Sequence, residues 1–327
     1  MHEGSKRAIF AAFLANLGIA LAKLVGFVLT GAASMLAEAI HSFADTGNQG
    51  LLFLGGRRAA HAPDEEHPFG YGAERYFWSF VVALVLFSLG GLFALFEGIE
   101  KFIHPHQIES PQIALVILAI AFVLEGFSLR TARREALEAR GSSSWWAFIH
   151  RSKSPELPVV LLEDSAALIG LVCAIVGVSL TWATGDGRFD GAGSIAIGLL
   201  LVAIAIVLAT EMRSLLIGES ASDDQQTSIR AAIGDGPEVE RIIHLRTLHL
   251  GPDELLVGAK LAFAATSVEV LAPAIDTVEA RIRAVVPIAR VIYLEPDLYR
   301  SSGGLPGGAE VHEGGGGADD LELGDDG

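Results

Sequence analysis

Six long apolar stretches constrain the fold of this chain more than any other feature of its sequence. They cover residues 8–30, 34–55, 76–99, 111–130, 157–183 and 190–212. A helix needs about 20 residues to cross the hydrocarbon core of a bilayer, and each stretch has about that length. Hydrophobic residues form 51% of the 327-residue chain, which is too apolar a composition for one water-soluble core. The sequence therefore predicts an α-helical membrane protein with six transmembrane helices within residues 1–216.

Basic residues fall in alternate loops between these stretches. Lys6 and Arg7 precede the first stretch, and Arg57, Arg58 and Arg75 lie between the second and the third. The loop between the fourth and fifth stretches is also rich in arginine and lysine. Basic loops stay on the cytoplasmic side, so we expect both termini to be cytoplasmic in a multi-pass protein of the plasma (inner) membrane. The first stretch is longer than the core of a signal peptide and is expected to remain as a span.

A different pattern begins after the sixth stretch. Residues 217–300 predict, in order, a short helix ended by glycine, two strands joined across "GPD", an amphipathic helix and a last strand. This is a small α+β cytoplasmic domain of order αββαβ. His244 and His249 fall on its first strand, where we expect surface or strand-edge residues, with a regulatory metal site as the alternative.

The last segment, residues 301–327, is rich in glycine and has seven acidic residues and no lysine or arginine. This composition predicts a disordered acidic tail. The tail contributes seven negative charges to the net charge of −16. We expect a solvated and dispensable extension, with recruitment of metal as the alternative. No nucleic-acid partner is expected for this acidic chain.

Polar side chains inside the second and fifth stretches are the strongest functional signal. An ionisable group in the hydrocarbon layer costs several kcal/mol, so such groups usually face the bundle interior and line a path for ions. His41 and Asp45 are four residues apart and Asn48 follows three later, which places all three on one helix face. Glu163 and Asp164 interrupt the fifth stretch. An imidazole and two carboxylates approach a tetrahedral metal shell that suits zinc, manganese or iron. The alternative is that His41 and Asp45 only hold two helices together.

Other polar residues carry weaker signals. Glu125 lies near the cytoplasmic end of the fourth stretch, where helix packing, pairing with an arginine and lining of the pathway are all open. His104 and His106 flank a proline and are expected in a loop. Cys173 is the single cysteine, which excludes a disulfide framework and a thiolate metal cluster within this sequence.

Enzyme motifs are missing from the sequence. It contains no H-E-x-x-H, no G-x-S-x-G and no G-x-x-x-x-G-K-[ST]. The sequence therefore offers no motif for metalloprotease chemistry or for ATP hydrolysis. We therefore predict a secondary transporter and no bound cofactor. His41 and the buried carboxylates must lose protons when metal binds, which links metal movement to proton movement. The alternative function is a non-transporting membrane protein whose cytoplasmic domain recruits a partner.

Several motifs together resemble a known family. They are H-x-x-x-D in "SMLAEAIHSFADTGNQGLLFLG", "HPFGYGAERY" before the third span and "LLEDSAALIGL" in the fifth. With six spans and an αββαβ domain, the chain resembles the cation diffusion facilitators over about residues 8–300, and more closely the branch that contains zinc transporter nine. The resemblance implies metal/proton antiport in a lipid bilayer by a homodimer. It also implies a four-coordinate site near mid-membrane, built from spans two and five.

One position departs from the family pattern. Most members have a histidine four residues before the aspartate of the fifth span, and here that position is Val160. The fourth ligand is therefore open. Glu163 lies about 100° around the helix from Asp164 and is expected to reach the same ion only if the helix rotates or the site uses a different edge of the helix. Asn48 and water are the other candidates. A site with fewer nitrogens favours harder ions, so zinc is the first choice and manganese the second.

Overall fold

Long helices form most of the chain. The computed structural model describes residues 3–142, 144–265 and 267–299, with side chains from residue 16 onward. The helices before the C-terminal domain are α1 (Glu3–Thr30), α2 (Ala33–Ala59), α3 (Glu74–Val85), α4 (Phe93–Ile103), α5 (Pro111–Arg140), α6 (Trp145–Arg151), α7 (Glu156–Thr184) and α8 (Arg188–Ile217). A π-helical segment, Leu86–Leu92, joins α3 to α4 in one continuous helix. The predicted tail, residues 301–327, lies outside the described residues.

Four helices of the described chain have the length and apolar composition of membrane spans. They are Glu74–Ile103, Pro111–Arg140, Glu156–Thr184 and Arg188–Ile217. In α1 the apolar part with described side chains is shorter, Asn16–Thr30. Helix α2 is long enough but contains Glu38, His41, Asp45 and two terminal arginines, which lower its hydropathy. The prediction of a helical membrane domain is confirmed, whereas the count of six spans stays a prediction.

The two helices that contain the predicted ligands have fixed positions in the bundle. Helix α7 contacts α2, α5 and α8, and α2 contacts α1. The first residue before α2 is Ala32, whose side chain cannot cap a helix. Asp190 of α8 caps it instead, because its carboxylate accepts hydrogen bonds from the backbone amides of Ala33 (2.6 Å) and Ser34 (3.3 Å). This contact between distant parts of the chain holds one end of α2.

Glycines bring the α3–α4 helix into close contact with α8. A Cβ atom on Gly98 would lie 2.6 Å from the backbone nitrogen of Ile195, and one on Gly198 would lie 2.7 Å from that of Leu95. Small residues of this kind let membrane helices approach backbone to backbone. The α3–α4 helix and α8 are therefore closely packed, and α8 also contacts α7.

The C-terminal part forms a three-stranded sheet with two helices. Its elements are α9 (Asp223–Gly234), β1 (Val239–Gly251), β2 (Glu254–Phe263), α10 (Val268–Val285) and β3 (Val291–Pro296). Strand β2 lies in the middle, antiparallel to β1 and parallel to β3. Ile229, Val257, Val278 and Ile282 belong to its apolar core. The predicted order αββαβ is confirmed.

The β1–β2 turn contacts the start of α3. Arg75 of α3 donates to Glu156 of α7, and it donates to the carboxylate of Asp253 in the turn at 2.7 Å. A Cβ atom on Gly72 would lie 2.7 Å from the carbonyl oxygen of Leu250, so the two backbones touch. The C-terminal domain is therefore joined to the membrane helices by the Arg75–Asp253 ion pair and by direct backbone contact.

His249 lies beside this junction and is not the surface residue that its strand position predicts. Its side chain is buried, whereas His244 of the same strand is exposed as predicted. The backbone amide of His249 donates to the carbonyl of Glu219 at 2.9 Å, just after α8. Its Nδ1 lies 3.3 Å from the carbonyl oxygen of Gly251.

This burial predicts an acid-sensitive junction. Burial lowers the pKa of His249 and outweighs the Gly251 carbonyl, which raises it. The folded state therefore favours the neutral ring, so its contribution to stability is complete above the ordinary pKa of 6.5 and decreases as the pH falls below it. We expect β1–β2 amides to exchange hydrogen faster in the parent than in His249→Phe at about pH 5.5, with a smaller difference at about pH 7.5. His244→Phe is the control, and an equal pH response in the parent and His249→Phe would contradict the assignment.

Candidate metal centre

Helix α2 presents its predicted ligands on one face. The Nε2 atom of His41 lies 3.4 Å from Oδ2 of Asp45, one helical turn later. Asn48 continues the same face, and the side chains of His41 and Asn48 are fully or almost fully buried. The i, i+4 spacing in the sequence is thus realised as a contact.

Helix α7 turns its two adjacent acids toward different neighbours. Asn48 of α2 donates through Nδ2 to Oε1 of Glu163 at 2.7 Å. Ser128 of α5 donates through Oγ to Oδ2 of Asp164 at 2.9 Å. Glu163 therefore faces α2 while Asp164 faces α5, as expected for residues about 100° apart on a helix.

A small cavity lies between these helices. Its volume is about 20 Å³, which suffices for one water molecule or one metal ion. Asp45, Glu163 and Asp164 line it together with Val160 and Glu125. The cavity touches both acids of α7, so Glu163 and Asp164 line it together without a rotation of the helix. His41 and Asn48 are not among its lining residues and contact it through Asp45 and Glu163.

Several buried polar atoms around the cavity have no hydrogen-bond partner among the described residues. They are both ring nitrogens of His41, Oδ1 of Asp45 and Oδ1 of Asn48. Buried polar atoms without partners are costly, so these nitrogen and oxygen atoms are available to a ligand. Within the described ranges no three His, Cys, Asp or Glu side chains converge as a finished metal site. Asn48 and Ser128 each occupy one oxygen of these carboxylates, so the other oxygen of Glu163 and of Asp164 takes no part in those hydrogen bonds.

A second charged cluster adjoins the cavity, and the predictions from sequence missed it. Lys23 of α1 donates to Oε2 of Glu38 at 2.9 Å and to Oγ of Ser42 at 2.7 Å. Its Nζ lies 3.8 Å from Oε1 of Glu125. Glu125 thus pairs with a lysine and also lines the cavity. The available signal was one basic residue in the first apolar stretch and one extra acid in the second.

His104 and His106 lie in the loop after α4, as predicted. The Nδ1 atom of His104 is 3.7 Å from Oε1 of Glu100, and both side chains are exposed. Neither histidine is a lining residue of the cavity.

Comparisons with known proteins identify relatives of this chain. Residues 9–217 match the model of the cation efflux transmembrane domain, which covers α1 to α8. The chain is 36% identical over 244 residues, or 74% of its length, to "Proton-coupled zinc antiporter SLC30A9, mitochondrial" of Xenopus laevis and covers 44% of that protein. It is 34% identical to the human protein of the same name over 74% of this chain and 43% of the human one.

A plant protein is also similar to this chain, at a lower identity. "Metal tolerance protein C4" of Arabidopsis thaliana is 28% identical over 263 residues, which are 80% of this chain and 58% of the plant protein. The chain therefore spans about half the length of the curated relatives it matches.

Proposed function

Because the chain belongs to the cation diffusion facilitator family, whose cation efflux domain it matches, we propose that it moves a divalent metal ion across a membrane in exchange for protons. The observation that supports this most directly is the buried cavity between α2 and α7, lined by Asp45, Glu163 and Asp164. Membership of this family also confirms the prediction of a transporter and not an enzyme.

Zinc is the proposed ion and manganese the second choice. The vertebrate relatives are named as zinc antiporters, and the plant relative is named for metal tolerance. The imidazole of His41, whose ring nitrogens make no hydrogen bond to the described residues, supports zinc, since nitrogen ligands favour zinc over harder ions. The carboxylates that line the cavity support manganese as the second choice, since oxygen ligands suit harder ions. His41, Asp45 and Asp164 are the proposed ligands, and Glu163 and Asn48 are the candidates for the fourth position.

The proposed exchange with protons follows from the chemistry of these groups. A carboxylate and an imidazole must be deprotonated to bind a metal ion. When the ion leaves, the buried carboxylates of Asp45, Glu163 and Asp164 are close to one another in a low-dielectric cavity, and proton uptake relieves their repulsion. Each cycle then carries metal in one direction and protons in the other.

For topology we propose six spans, with α1 and α2 joining the four apolar helices, and both termini in the cytoplasm. The proposed domains are residues 1–216 in the membrane, 217–300 in the cytoplasm and 301–327 as the acidic tail. A homodimer held partly by the C-terminal domain is also proposed. The plasma (inner) membrane stays a prediction, since the vertebrate relatives are named as mitochondrial.

Flux through proteoliposomes tests the function. We expect purified full-length protein to drive zinc uptake when the lumen is more acidic than the medium, because protons then leave as zinc enters. Reversing the pH gradient should reverse net zinc movement, and excess manganese should slow it. Collapse of the gradient with a proton ionophore is the control. Zinc movement that does not depend on the pH gradient would contradict antiport. The absence of any zinc movement would favour a non-transporting protein whose C-terminal domain recruits a partner.

A further inference from the structure

Lys23 and Glu38 form a fully buried ion pair inside the helical bundle. Neither side chain has exposed surface, and their charged atoms lie 2.9 Å apart. The bundle leaves room for the pair at Gly170 of α7, because a Cβ atom there would clash with Oε1 of Glu38. Three helices therefore meet at this pair: α1 through Lys23, α2 through Glu38 and α7 through Gly170.

The ammonium group of Lys23 also reaches the wall of the candidate metal centre. It donates to Ser42 at 2.7 Å and lies 3.8 Å from Glu125, and both of these residues line the cavity. Along α2, Glu38 precedes Asp45 by seven residues, or about 10 Å toward the start of the helix. The pair thus sits at one end of the cavity, opposite the cytoplasmic end of α2.

We propose that Lys23 is a positioning residue that sets the zinc affinity of the transport site through its fixed positive charge, a proposal that rests on the proposed function. By pairing with Glu38 and lying 3.8 Å from Glu125, it offsets the negative charge of these two carboxylates, of which Glu125 lines the cavity. Its charge also opposes the dication in the cavity. A transporter needs binding that is weak enough for release, and a tethered cation beside the site supplies that limit.

Because the two residues of the pair have opposite charges, removing one charge or the other is expected to change zinc affinity in opposite directions. Lys23→Met removes the positive charge and frees Glu125, so zinc should bind about tenfold more tightly, with KM and kcat for flux both lowered. Glu38→Gln leaves the ammonium without its nearest carboxylate, so zinc should bind about tenfold more weakly. The double variant Lys23→Met with Glu38→Gln restores the charge balance, and its affinity should lie within about threefold of the parent.

Lys101 provides a matched control. It is a second fully buried lysine, its Nζ lies 3.8 Å from Asp190, and it does not line the cavity. Lys101→Met should leave zinc affinity unchanged even where it lowers thermal stability. Equilibrium zinc binding to purified protein in detergent, together with initial flux in proteoliposomes, measures all the variants.

The sign of the changes decides the proposal. If the pair only holds helices together, both single variants lose stability and neither binds zinc more tightly, which would overturn the proposal. Should Lys23→Met fail to fold, Glu38→Gln and the double variant decide it, since weaker binding in the first and recovery in the second are still expected. Flux of Asp45→Asn, measured beside these variants, separates the two proposals. If Asp45→Asn transports zinc at the parent rate, the proposed transport site is refuted. The proposal for Lys23 is judged separately, by the binding measurements.

Discussion

Asp45→Asn is expected to lower zinc flux by about 100-fold or more while leaving the fold intact. The amide has the shape of the carboxylate, so the contacts of α2 should persist. It has neither the negative charge that binds a dication nor a group that takes up a proton when the ion leaves. Oδ1 of Asp45 is buried without a partner among the described residues, so no existing hydrogen bond is lost at that atom.

Glu97→Gln is the control for this variant. Glu97 belongs to α4, within a membrane span, and does not line the cavity. Initial zinc uptake under a fixed pH gradient, normalised to the protein reconstituted, measures both variants, and thermal unfolding in detergent verifies the fold. Flux at the parent rate in Asp45→Asn would remove Asp45 from the site. Equal loss in Glu97→Gln would show that the loss of flux is not specific to Asp45.

Much of the fold is predictable because hydropathy and local chemistry act over short distances. The apolar stretch 157–183 corresponds to α7, Glu156–Thr184, and "GPD" lies at the predicted turn between β1 and β2. The fourth stretch ends at residue 130, yet α5 continues to Arg140. Its last turns are rich in alanine, glutamate and arginine, which form helix well in water, so hydropathy alone ends the element too early.

The site is predictable only in part, since its details depend on which helices are neighbours. The spacing of His41 and Asp45 yields their contact directly. By contrast, the separate partners of Glu163 and Asp164 follow from the position of α7 between α2 and α5. The pairing of Lys23 with Glu38 likewise needs the α1–α2 contact. A single basic residue in an apolar stretch does not reveal its partner.

The identity of the remaining ligand can be decided at Val160 and Glu163. Val160 lines the cavity one helical turn before Asp164, so a histidine at that position would direct an imidazole toward the ion. Val160→His should raise the preference for zinc over manganese by about tenfold, because imidazole binds zinc well and a hard ion gains less from it. Competition binding of the two ions to purified protein measures this preference, with Val160→Leu as the apolar control.

Glu163→Gln tests the native candidate, and the structure makes this substitution informative. The glutamine carbonyl oxygen can still accept the hydrogen bond from Asn48, so the α2–α7 contact is kept while the charge is lost. If Glu163 is a ligand, zinc affinity should fall as far as in Asp164→Asn, by about 100-fold. If Glu163 instead carries protons or supports packing, zinc affinity stays near that of the parent while the pH dependence of flux or the stability changes. Unchanged binding in Glu163→Gln and unchanged selectivity in Val160→His would together place the fourth ligand outside these two positions of α7, with Asn48 or a water next in line and Glu125 as the further acid in the cavity wall.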